Sequence, residues 1–149
     1  MEGALFAASA LRFLGYPPLL MDLEATRDTD HVVAIYKRNG AWGALGKSNF
    51  SGLRLREPVY GSLRELAMSY FEGYFNLRRQ KTLRSYSRPV DLRRFDNRDW
   101  ERTEEFVWFV PEHLCEIPHT RLLTPRQERE LVLVDRRLFE AGKVGSVWG

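Results

Sequence analysis

The 149-residue chain has a single cysteine, Cys115, and only three histidines, His31, His113 and His119. One thiol excludes an internal disulfide and any zinc site built from cysteines, and it suits a reducing compartment. The histidines lack HExxH spacing, and nothing in the pattern points to a metal or another cofactor. Charge of one sign is also scarce: 23 Lys and Arg against 20 Asp and Glu leave a formal net charge of +3. That excess is too small to argue for nucleic acid by itself. No apolar run reaches the roughly 18 to 20 residues that span a bilayer, so no membrane partner is expected. The apolar start, Met1 to Gly15, lacks a basic leader and is interrupted by Arg12, so it reads as part of a soluble, cytoplasmic protein and not as a signal peptide. Repeats and low-complexity segments are missing as well. With 44% hydrophobic residues the chain is long enough to bury one core, and 1–149 reads as a single domain.

The strongest local signal is a hairpin over residues 30–48. Two β-prone runs are joined by Asn39-Gly40, a pair that tolerates positive φ at both centres of a type I′ turn. A two-residue loop sets the register: Arg38 faces Ala41, Tyr36 faces Gly43, Ala34 faces Leu45, and by extension His31 faces Ser48. His31 then shares a face with Val33, Ile35, Ala44 and Gly46, the last its diagonal neighbour.

Around the hairpin, Glu2 to Leu14 predicts a helix apolar nearly all round, stopped by Gly15 and Pro17-Pro18, with no side-chain cap ahead of it. Alternation predicts a half-buried strand over Leu19 to Ala25 and a short edge strand over Leu53 to Arg56, ended by Pro58. Ser62 with Glu65 makes a capping box for a helix to Phe75, whose stripe of Leu63, Leu66, Ala67, Tyr70, Phe71 and Tyr74 reads as core. Leu77 to Arg102 carries nine basic residues with Tyr86, Phe95 and Trp100 between them; the reading is a solvated, partly ion-paired connection, with an anionic partner as the alternative. Phe106 to Val110 has strand character. Cys115 reads as a small buried thiol, with a nucleophilic role as the alternative. Thr124-Pro125 opens a final helix that Gly142 closes.

The phrase Leu11-Arg12, Gly15, Pro17, followed by a strand, Asp30-His31 and a hairpin with Gly40 and Trp42, resembles the transglutaminase-like superfamily over residues 2 to about 48. Lys47-Ser48-Asn49-Phe50 and Ser62-Leu63-Arg64-Glu65-Leu66 are similar to phrases of its bacterial members. The resemblance implies an α+β fold: a buried N-terminal helix packed on a small antiparallel sheet, with additional helices in the C-terminal half. The core would span about 2–58, with a helical and basic extension over 59–149. The resemblance also implies cysteine-dependent amide hydrolysis or acyl transfer on a protein or peptide substrate, by a thiolate at a helix N-terminus, a histidine and an aspartate. His31 matches the histidine. The family's ungapped spacing puts the cysteine immediately before Met1 and the aspartate at Gly46, so the chain as written lacks both. It is expected to be truncated, with the enzyme's nucleophile upstream, or inactive and a non-catalytic binding module. The register leaves Ser48 as the residue to orient His31, with Asn49 on the opposite face unless the strand bulges.

Overall fold

The computed structural model describes residues 1–103 and 105–146, which form an α+β unit around one antiparallel sheet of seven strands. The first helix, α1 (Glu2–Phe13), buries Ala4, Leu5, Ala7, Ala8 and Leu11 against the sheet. Its outer side is open: Phe6 and Phe13 are 79% and 92% exposed. It is therefore a one-sided surface helix, although nearly every position on it is apolar. Gly15 adopts φ +91°. The amides of Gly15 and Tyr16 bond back to the Arg12 and Leu11 carbonyls, the pattern of a Schellman stop.

Strand β1 (Leu19–Ala25) lies in the middle of the sheet, between β2 (His31–Arg38) and the pair β5 (Leu83–Ser87) and β6 (Val90–Asp91). Pairing on both edges and cover on both faces bury Leu20, Met21, Asp22 and Leu23. The alternation read as half-buried thus belongs to a strand with only Glu24 exposed. The hairpin forms in the expected register from Ala34↔Leu45 to Arg38↔Ala41, with Asn39 and Gly40 at φ 50° and 80°. Strand β3 (Ala41–Leu45) stops there, and the next amide, Gly46, donates to the Arg54 carbonyl. After a 3-10 turn, β4 (Leu55–Tyr60) forms the sheet edge. Pro58 does not end it. The proline sits where the β3–β4 register shifts between Trp42 and Ala44, an irregularity on an edge strand that tolerates a missing N–H.

Helix α2 (Leu63–Met68) starts at Ser62, whose hydroxyl accepts from the Glu65 amide, and Glu65 turns back to the Gly61 amide. It ends well before Phe75. Arg56 takes the Ser69 carbonyl and hydroxyl, and that carbonyl is the acceptor a longer helix would offer to Gly73. The apolar stripe is core as expected, with Leu66, Ala67 and Tyr70 fully buried.

The segment 77–102 is a larger departure from the sequence reading. It supplies β5 and β6 to the sheet, and these strands bury Ser85 and Ser87, polar residues that gave no strand signal. Phe106 to Val110 is not a strand. Its last two residues open α3 (Phe109–Glu116), where Pro111 falls in the first turn and its missing N–H costs nothing. Strand β7 (His119–Arg121) pairs with β5. The final helix is two helices. The first, α4 (Pro125–Arg129), has the expected Thr124 cap, and α5 (Arg136–Gly142) restarts at Asp135, whose carboxylate accepts from the Arg137 and Leu138 amides. Between them the Val134 amide donates to the Arg79 carbonyl and the Arg79 guanidinium donates to the Val134 carbonyl, which takes Val134 out of the helical pattern.

The strand order is β4-β3-β2-β1-β5-β7, with β6 beside β1. One face packs on α1 and α3 through Leu20, Ala34, Val110 and Leu114; the other packs on α2 through Met21, Val33, Ile35 and Tyr70. The sheet is larger than expected because the C-terminal half contributes three strands.

Tyr70 is fully buried, and among the described residues its hydroxyl has no hydrogen-bond partner; the Arg56 guanidinium lies 4.0 Å from its ring centre. An unpaired buried hydroxyl costs about 1–3 kcal/mol. Tyr70→Phe should leave stability unchanged or raise it by about 1 kcal/mol, a rise of roughly 2–4 °C in thermal denaturation. A clear loss would show that the hydroxyl is satisfied.

Candidate cleft around His31

His31 is the first residue of β2, paired with Leu23, so its side chain shares the face of Met21, Val33 and Ile35 at the open end of the strand. The imidazole is half-buried against the edges of Tyr70 and Tyr74, at 6.3 and 6.5 Å between ring centres. Its Nε2 is 2.9 Å from the Leu53 carbonyl. A carbonyl only accepts, so Nε2 carries the proton and the lone pair is on Nδ1. Burial lowers the pKa of His31 from its ordinary value, outweighing the carbonyl's opposite effect, and keeps the ring neutral.

The second residue expected here, Ser48, lies in the wall of the same cavity. Its hydroxyl is turned into its own loop and accepts from the Phe50 amide. The chain leaves the hairpin ladder at Gly46, so the pairing that would set Ser48 opposite His31 is not formed, and the Leu53 carbonyl holds the imidazole instead. Gly46 does lie against the ring, as a diagonal neighbour should: a Cβ there would be 3.0 Å from Nε2 and 3.1 Å from Val33 Cγ1.

The cavity holds about 760 Å³ and is lined by Met1 to Ala4 at the N-terminus of α1, by His31, by the loop 47–50, and by Leu114 and Cys115 of α3. Close approach of Gly3 to Lys47, where a Cβ would fall 2.3 Å from Lys47 Cβ, brings the helix end beside the loop. The Met1 amine is near enough to disfavour protonation of His31. Cys115 is exposed and not the buried thiol expected. It sits in the last turn of α3, where carbonyls and not N–H groups are left over.

Asp22 reaches the same cavity from the sheet, and its carboxylate is 3.0 Å from Nε2 of His119. Sequence reasoning missed this pair because its members are 97 residues apart and Asp22 stood on the polar side of an alternating pattern. His113 is elsewhere, where its Nε2 accepts from Arg94. Among the described residues no group of three or more His, Cys, Asp or Glu is arranged to hold a metal, and no helix is long and apolar enough to cross a membrane.

The basic segment is partly ion-paired, as expected. Arg93 clasps Asp91, Arg84 is 3.7 Å from Glu128, and Arg98 lies 4.0 Å over Phe109. Its aromatics are not free for stacking: Trp100 is buried and donates to Asp96, and Phe95 packs on Phe109. No protein-family model matches the chain, and no curated protein matches it at a significant level.

Two outcomes follow. Burial makes folded His31 a weaker base than the unfolded residue at 6.5, so its stabilising share is complete above that value and is lost as pH falls below it. Denaturant melts between about pH 7.5 and about pH 5 should show the wild type losing more stability than His31→Gln. Gly46→Ala forces a methyl against the imidazole and Val33, and should cost about 1–3 kcal/mol by the same measurement.

Proposed function

We propose that the chain carries a transglutaminase-like core and that the cavity around His31 is the counterpart of that superfamily's cysteine-hydrolase cleft, kept as a binding site for a peptide or protein segment. The observation that carries this reading is that the N-terminus of α1 and His31 line one cavity, with the backbone of Gly46 packed against the imidazole. Each is where the resemblance asks for a member of the triad. A residue ahead of Met1 would extend from the helix end that borders the cavity, and a side chain at position 46 would grow toward the imidazole. The histidine is the member present. A neutral imidazole held by a carbonyl can accept a proton at Nδ1, but the chain as written sets neither a thiol at the helix end nor a carboxylate beside the ring.

The test is to restore the thiol at the helix end. In a Cys115→Ser background, a cysteine is placed directly before Met1. The new thiol should react with an amide-like electrophile at least tenfold faster than a free peptide thiol near neutral pH, and His31→Ala should remove the gain. Reactivity equal to the peptide thiol in a variant with a native melting transition would overturn the reading.

A further inference from the structure

The pair Asp22–His119 is not needed by the reading of His31, yet its geometry is restrictive. His119 Nδ1 is 2.9 Å from the Ile117 carbonyl, which can only accept, so Nδ1 carries a proton. The other nitrogen, Nε2, is 3.0 Å from Asp22 Oδ2. That contact needs one proton, placed either on Nε2 opposite a carboxylate or on Oδ2 opposite a lone pair. With no proton a carboxylate would face a lone pair inside the fold, since the Asp22 and His119 side chains are 8% and 14% exposed.

The pair spans three strands. Ser87 of β5 pairs with His119 of β7, and its hydroxyl accepts the Asp22 amide of β1, so a small residue lets the carboxylate reach across. Ile117 closes α3, and α3 with Asp22 forms part of the cavity wall. We propose that Asp22 and His119 form a one-proton latch that fastens the α3–β7 connection to the centre of the sheet, closed while the pair holds its proton and released when rising pH removes it.

The surroundings oppose an unpaired carboxylate. Asp30 ahead of β2 and Glu24 on β1 face Asp22 with negative charge, and the Tyr74 hydroxyl is nearby. The cavity wall adds Glu2 and Asp28, with Lys47, the Met1 amine, His31 and Cys115 farther round it. Burial, outweighing the bond to His119, raises the Asp22 pKa from its ordinary value, in the same sense.

Asp22→Asn supplies the test, because an amide N–H can donate to neutral His119 Nε2 and has no proton to lose. Amide exchange protection, corrected for intrinsic rates, is followed at Ile117, Arg121 and Leu122 as pH is raised. Wild-type protection should fall roughly tenfold or more as the pair deprotonates, while Asp22→Asn stays level. Protection level in the wild type, or falling equally in both proteins, would overturn the latch. Should the variant not fold, the ring nitrogen signals of wild-type His119 decide: Nδ1 keeps its proton throughout the titration, and a shift to the Nε2–H form would overturn the proposal.

Discussion

The fold depends on the double pairing of β1. One edge is taken by β2, its neighbour in sequence, and the other by β5 and β6, which follow some sixty residues later. A strand placed in the middle of a sheet with helices on both faces has no solvated side. Every residue from Leu20 to Leu23 is therefore buried, the ionisable one included. Asp22 cannot be left to water and must find its partner across the sheet, which is why β7, only three residues long, begins with a histidine bonded to it.

That placement also separates the two histidines chemically. His119 uses both ring nitrogens, one on a carbonyl and one on a carboxylate, so it has nothing left to offer a ligand. His31 uses Nε2 alone, in a cavity wall at the open end of β2. Of the two histidines, His31 is the one with a ring nitrogen left for base chemistry in this cavity, and His119 acts on the wall through its bond to Asp22.

What was legible in the sequence was what short-range chemistry decides. Asn39-Gly40 sets its hairpin register, Gly15 stops its helix, and Ser62 and Thr124 cap theirs, each within a few residues. Parts decided by distant residues were not legible. Strand β5 buries serines because Ser87 receives the Asp22 amide and Ser85 donates to Glu24, contacts with a strand far back in the chain. The early end of α2 needs Arg56, and the break before α5 needs Arg79. The candidate site divides the same way. His31 and the approach of Gly46 follow from the hairpin, whereas the Leu53 carbonyl follows from a loop that leaves the ladder after Leu45, three pairs before Ser48 would face the ring.

The Leu53 contact bears on what the cavity is built to do. A carboxylate beside an imidazole stabilises the imidazolium that forms when the ring takes a proton from a nucleophile. A carbonyl orients the ring and selects its tautomer, but adds no charge to favour that step. At position 46 the space for a side chain is already closed, with Nε2 only 3.0 Å from where a Cβ would stand. The imidazole occupies the volume an orienting acid would need, and burial keeps it neutral. Orientation without charge favours a ring that accepts a hydrogen bond from a docked segment over one that drives acyl transfer. A carboxylate introduced at 46 would have to move the ring off Leu53 before it could support it, so on the reading proposed above, building a triad here is a repacking of the loop 46–53 as much as a change of residues.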